Sequence, residues 1–214
     1  MFNFFKKKPP PVPSINKPEV MGLCVGSSFD IDKLAFQLIL EELVISGIAD
    51  TQLIQGAGRV DLGSSVLLRF YTDDEAWLQV VCEGGELEEN IVDVTLFHYY
   101  DTLHVNAAEW DDILANKIGA PTYSLEGREY ERVWTSIATY HPPVAMQEKT
   151  FDDTNDISET DQFVMLFERA LSDGSFEQLY LSGEESLNDN NQLERCLVIS
   201  TGVKLTSTQI RVNG

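Results

Sequence analysis

Val66-Leu67-Leu68-Arg69-Phe70-Tyr71-Thr72-Asp73-Asp74-Glu75-Ala76-Trp77-Leu78-Gln79-Val80-Val81-Cys82 reads as two strands around a polar turn. Val66, Leu68 and Phe70 alternate with Leu67, Arg69 and Tyr71, the two-residue period of a pleated strand. Thr72 to Glu75 supply turn residues and Trp77 to Cys82 return as a second strand, which predicts an antiparallel hairpin. Beyond a Gly84-Gly85 turn, Ile91 to Tyr100 places Val92, Val94, Leu96, His98 and Tyr100 on one face and completes a three-strand meander. The C-terminal half repeats the pattern: Phe163 to Leu171, a Ser172-Asp173-Gly174 turn, Phe176 to Leu181, an acidic loop from Glu184 to Asn191, and Leu193 to Ser200. Two similar meanders predict two antiparallel sheets and suggest an internal duplication.

Two helices are expected to accompany them. Asp30 can cap a helix over 31–46, in which Ile31, Leu34, Phe36, Leu38, Ile39, Leu43 and Ile45 leave a narrow polar stripe through Lys33, Gln37 and Glu41. A helix apolar nearly all round must be covered on more than one side, so a place between the two sheets suits it. Asn106 with Glu109 three residues on resembles a capping box. The second helix then ends at Gly119 before Pro121, with Trp110, Ile113 and Leu114 as its buried stripe. The expected fold class is α+β: two antiparallel β-meanders packed with two main helices. The chain divides into a basic, proline-rich tail (1–18), an N-terminal α+β half (19–120) and a C-terminal β-rich half (121–214) that joins the first in one compact unit.

Of 214 residues, 43% are hydrophobic and 23% charged, enough apolar side chain to fill a core. The formal net charge is −20. Without Lys6 to Lys8, 12 basic residues face 35 acidic ones, a body charge of −23 that repels phosphate backbones and argues against nucleic acid. Basic protein faces, polyamines and divalent ions are the ligands such a surface favours. Cys24, Cys82 and Cys196 stand far apart in apolar surroundings, which suits reduced core thiols rather than a disulfide framework or a zinc site.

The first residues contrast with that body. Phe2, Phe4 and Phe5 precede Lys6, Lys7 and Lys8, and Pro9, Pro10, Pro11 and Pro13 follow as an extended spacer. Rings shallowly buried among headgroups, with lysines contributing about 1 kcal/mol each at an anionic surface, make a weak and reversible membrane or partner tether. An inert tail is the alternative. The apolar residues come before the positive charges, the reverse of a signal peptide, and no run approaches the roughly 18 apolar residues of a membrane span. The expectation is a cytoplasmic protein peripheral to the inner membrane.

No catalytic constellation is announced. The nucleophile elbow G-x-S-x-G is missing. Gly56-Ala57-Gly58-Arg59 begins like a dinucleotide loop, but Asp61 holds the third glycine position and a strand follows, which leaves a plain turn. His98 and His104 would share one face of a continuous strand about 20 Å apart, too far for one metal, and His141 precedes Pro142-Pro143 in a loop. Random placement of the acids gives about six adjacent acidic pairs, so Asp73-Asp74, Asp111-Asp112 and Asp152-Asp153 reflect composition. The cluster around Asp152 to Asp156 lacks the glycine of an EF-hand. No cofactor or metal is expected. What remains is aromatic: His98, Tyr100, Trp110, Tyr130 and Trp134 make a candidate ligand or partner surface, able to hold a cation on ring faces beside carboxylates. Filling the seam between layers is the ordinary alternative.

Arg69-Phe70-Tyr71-Thr72-Asp73-Asp74, Leu96-Phe97-His98-Tyr99-Tyr100 and Gly127-Arg128-Glu129-Tyr130-Glu131-Arg132-Val133-Trp134 resemble the YjfK-like family of uncharacterised bacterial proteins, over most of the chain after the proline-rich segment. That family has no established activity, so the resemblance carries over no catalytic residue. It implies a context: genes for phage-shock-protein-A-like membrane-stress proteins and small membrane proteins nearby, and a protein partner of that kind in envelope stress. Two functions are expected. One is a non-enzymatic accessory or adaptor module binding a protein partner at the cytoplasmic membrane face, with Phe2, Phe4, Phe5 and Lys6 to Lys8 as tether. The other is a binder or enzyme for a cationic small molecule such as a polyamine.

Overall fold

A computed structural model describes residues 17–213, apart from Leu38, Ser46, Thr135, Ser136, Asn155, Asp189 and Ser207. The tether residues Phe2, Phe4, Phe5, Lys6, Lys7 and Lys8 lie outside the described residues. The strands are β1 (Ser28–Ile31), β2 (Thr51–Asp61), β3 (Ser65–Thr72), β4 (Ala76–Glu83), β5 (Ile91–His104), β6 (Thr122–Leu125), β7 (Arg128–Arg132), β8 (Val144–Phe151), β9 (Ile157–Ala170), β10 (Phe176–Leu187), β11 (Leu193–Lys204) and β12 (Ile210–Asn213). Between β5 and β6 lies one short helical segment, α1 (Trp110–Asp112), continued by a π-helical stretch, Ile113–Ile118.

Eight strands close a barrel in the order β2-β3-β4-β5-β11-β10-β9-β8, with β8 pairing back to β2 and every neighbour antiparallel. The expected meanders are present, each with one strand more than the sequence pattern marked. They do not form two sheets. The last strand of one pairs with the last of the other (β5 with β11), and the first with the first (β2 with β8), so the topology has the twofold character that a duplication would produce.

The α+β class with two main helices is thus corrected to a mainly β fold built on one closed barrel. In the segment expected as the first helix, Ile31 ends β1 and only Lys33–Phe36 coil into a 3-10 turn, where Asp32 Oδ1 accepts from Leu34 N at 3.0 Å. Its apolar residues are dense because the segment lies across the outside of the barrel, burying Phe36, Ile39, Leu43, Ile45 and Ile48. The Asn106 cap is real: its Oδ1 accepts from Ala108 N at 3.0 Å and Glu109 N at 3.1 Å. What it precedes, however, is too short to form a layer. Gly56 to Arg59, expected as a turn, lie inside β2. A Cβ on Gly58 would meet Glu148 Oε1 at 1.7 Å, so glycine there makes room for a side chain from the facing wall.

Two apolar layers wrap the barrel from outside. Leu68, Phe70, Leu78, Val80 and Leu96 pack beneath Phe29, Phe36, Ile48 and Leu205. Met165, Phe167, Leu179, Leu181, Leu197 and Ile199 pack beneath Trp110, Ile113, Ile118, Leu125 and Tyr130. Each fully buried side chain of this size contributes about 1.5–3 kcal/mol relative to exposure. The outward residues of the strands are therefore the greasy ones, which leaves the inward residues free for other chemistry. Gly58→Ala should drive Glu148 from its place and lower stability in urea unfolding by about 1–3 kcal/mol; an unchanged midpoint would contradict the close approach of these walls.

Candidate functional site

The inward face of the hairpin that opens the sequence reading carries Leu67, Arg69 and Tyr71 opposite Trp77, Gln79 and Val81. Inside the barrel, Arg69 meets groups from four other strands. Its Nη1 donates to Glu148 Oε2 at 2.6 Å and Gln162 Oε1 at 2.8 Å, its Nη2 to Tyr180 Oη at 2.6 Å, and its Nε to Gln79 Oε1 at 3.2 Å. The guanidinium lies 4.9 Å from the Trp77 ring centre and 5.4 Å from that of Tyr180. Trp77 in turn stacks on Phe97 at 4.4 Å. Tyr71 Oη donates to the other Glu148 oxygen at 2.6 Å, and Gln162 Nε2 donates to Glu148 Oε2 at 2.9 Å. Both charged side chains of the ion pair are 2% exposed.

Toward one mouth of the barrel the compensation fails. Gln162 Nε2 also reaches Glu184 Oε1 at 3.2 Å. Burial, and then the Glu148 carboxylate, push the Glu184 carboxyl up to about 7. Opposite Glu184 on β11, the Cys196 thiol is pushed up to about 11 by burial, then by Glu184 and Glu194, so it stays protonated and a poor nucleophile near neutrality.

A second feature lies on the outer surface where the β3–β4 turn meets β5. Val44, Ile45, Gly47, Asp73, Asp74, Glu75, His98, Tyr99 and Tyr100 surround a cleft of about 440 Å³. Its carboxylates are held in place: Asp73 Oδ1 accepts from Leu53 N at 3.0 Å, and Asp74 Oδ2 from Ala49 N at 2.8 Å and Gln52 Nε2 at 2.7 Å. His98 Nε2 lies 3.8 Å from Asp74 Oδ2. Burial lowers the His98 pKa, opposed by Asp74 and Glu75, which keeps the ring neutral at physiological pH.

The five residues expected to form one surface do not come together. Only His98 and Tyr100 line this cleft, and the Tyr100 hydroxyl donates to Glu126. Trp110 is buried in the second outer layer beneath the Arg195 guanidinium, 5.2 Å from its ring centre. Tyr130 is fully buried, donating to Glu177 Oε2 at 2.7 Å, where Arg169 also bonds. Trp134 is exposed, away from the cleft, its carbonyl accepting from Arg132 Nε at 2.9 Å. His98 and His104 turn to opposite faces, because a register shift between Ile199 and Ser200 inserts an extra residue in β5: His98 faces Thr201 and His104 faces Cys196. His141 Nδ1 contacts the Pro142 carbonyl oxygen.

Arg69, Glu148 and Glu184, the charged groups of the interior, were not marked by sequence reasoning. The available signal was a charge set between Leu67 and Tyr71 on a strand whose other face is also apolar. Among the described residues no group of three or more His, Cys, Asp or Glu side chains is placed to hold a metal ion, and no helix is long and apolar enough to cross a membrane.

Arg69→Met should strand the Glu148 charge and cost about 3–5 kcal/mol in chemical denaturation, with Arg69→Met/Glu148→Gln recovering part of the loss. Because the folded state raises the Glu184 pKa from 4.5 to about 7, its stabilising contribution is complete below pH 4.5 and lost as pH rises through 7. Glu184→Gln should flatten that decline in denaturation midpoints measured from pH 5 to 8.

No solved structure matches the chain. The uncharacterised protein YjfK of Escherichia coli (strain K12) is 30% identical to it over 207 residues, 93% of this chain and 94% of the relative. A family model described as "Protein of unknown function (DUF2491)" matches residues 1–211, and the chain belongs to that family.

Proposed function

We propose that the chain is a non-catalytic accessory module that holds a cationic segment of a partner protein in the cleft formed by Asp73, Asp74, Glu75, Tyr99 and Tyr100. The observation that carries this reading is the pinning of Asp73 and Asp74 by backbone and Gln52 donors, which presents ordered carboxylates beside exposed tyrosine rings without further cost in side-chain freedom. The interior network supports the non-catalytic part: its donors and acceptors are engaged with one another, and the thiol at its mouth is protonated. Phe2, Phe4, Phe5 and Lys6 to Lys8 tether the module at the cytoplasmic membrane face, where a phage-shock-protein-A-like stress protein is the partner that the family resemblance nominates. The volume of the cleft also suits a free polyamine, the second reading.

Spermidine and a short lysine-rich peptide should each raise the thermal midpoint of the full-length protein by a few degrees at physiological salt, and Glu75→Lys/Tyr100→Ala should abolish both shifts. Stabilisation by spermidine alone would favour the polyamine; no shift with either would overturn the cleft. Co-sedimentation with anionic vesicles should occur for the full chain and vanish without residues 1–18, whereas equal behaviour of the two would remove the tether.

A further inference from the structure

β5 outruns its neighbour. Its last pair with β4 joins His98 to Ala76, after which Tyr99 N donates to Glu75 O at 3.0 Å. Over 101–104 β5 keeps only β11, and among the described residues no strand pairs with its other side. Val105 N donates to Arg195 O at 2.9 Å. Bonded and unbonded residues alternate along an antiparallel pair, so Asp101 and Leu103 turn their backbone groups to β11, while Thr102 and His104 turn theirs to the open edge. The Thr102 N–H is taken by its neighbour's carboxylate, Asp101 Oδ1, at 2.8 Å. The His104 N–H and the carbonyls of Thr102 and His104 complete the row. Tyr99, Tyr100 and Leu103 are each about two-fifths exposed beside it. Protein folds normally bury, shorten or bulge such an edge, because it templates another strand.

Carboxylates border this one. The Asp73-Asp74-Glu75 turn stands where β4 would have continued, Asp101 lies on the edge, and Glu126 meets the Tyr100 hydroxyl. We propose that Tyr100–His104 is a strand-addition site. An extended segment of a partner protein, rich in lysine or arginine, lies along β5 in line with β4. Its backbone bonds to Thr102 and His104, and its basic side chains reach the bordering carboxylates. This rests on the reading of the acidic cleft as a cation-binding surface and adds to it a binding mode.

The test uses the full chain and a short alternating lysine–valine peptide, followed by fluorescence anisotropy at physiological salt. His104→Ala keeps the edge N–H and should bind as the unaltered protein does. His104→Pro removes that donor without touching a β11 bond, a placement edge strands tolerate, and should bind about tenfold or more weakly. Amide exchange at His104 of the unaltered protein should slow when peptide is added, a readout that stands even if the proline variant fails to fold. Equal binding by the two variants, or unslowed exchange at His104, overturns strand addition, and the cleft reading survives if Glu75→Lys still weakens the peptide. Absence of peptide binding with spermidine stabilisation intact overturns strand addition alone; absence of both overturns the cleft as well.

Discussion

A guanidinium sealed inside a barrel must find its partners there, and Arg69 finds them on β4, β8, β9 and β10. Once it is inside, every wall is constrained. Slipping any of these strands by one residue would turn its polar contributor outward and leave a buried charge or amide unpaired. Breaking a buried ion pair by removing one partner costs about 3–5 kcal/mol, which exceeds what a single apolar contact returns. The pair need not make the fold more stable than an apolar filling would. It makes one register the only satisfied one, and that register joins the two meanders.

The placement of apolar side chains follows from this. A small eight-stranded barrel has room inside for side chains and little else, and here that room is occupied by Arg69, Trp77, Phe97, Tyr180 and their partners. The hydrophobic faces of the strands point outward, so they need covers. The irregular segment after β1 and the helical segment with β6 and β7 supply them, one over each meander. Glu177 locks the second cover and part of the first together, accepting from Tyr130, Arg169 and Val44 N. With the interior filled and both flanks covered, binding chemistry is left to the mouths, the turns and the edges.

Strand alternation made the hairpin and both meanders legible, because a two-residue period survives whichever face is apolar. It could not tell one closed barrel from two sheets, since closure depends on which strands pair across more than ninety residues, as in Ala57 with Phe151. The segment 31–46 misled for a physical reason: a cover pressed on a sheet and a sandwiched helix both need apolar residues at most positions. β2 was hidden by glycines whose purpose, clearance for Glu148 and Tyr71, exists only in the assembled barrel. Of the candidate surface, His98 and Tyr100 share a cleft because they flank one strand. Trp110 and Tyr130 proved to be packing residues, as large rings near a layer boundary commonly are.

The acidity of the chain bears on why an open edge can persist on a folded protein. Two copies meeting edge to edge would bring Asp101, Glu126 and the Asp73-Asp74-Glu75 turn of each into the same space, and each copy carries a large negative charge besides. Like charges at that range oppose the pairing that backbone geometry invites, while a basic strand meets the same carboxylates as attraction. Charge therefore does here what bulges and short strands do elsewhere: it leaves the edge available while selecting what may use it. The selection is electrostatic and weakens with salt, since the groups that impose it are exposed and lie within a Debye length of one another.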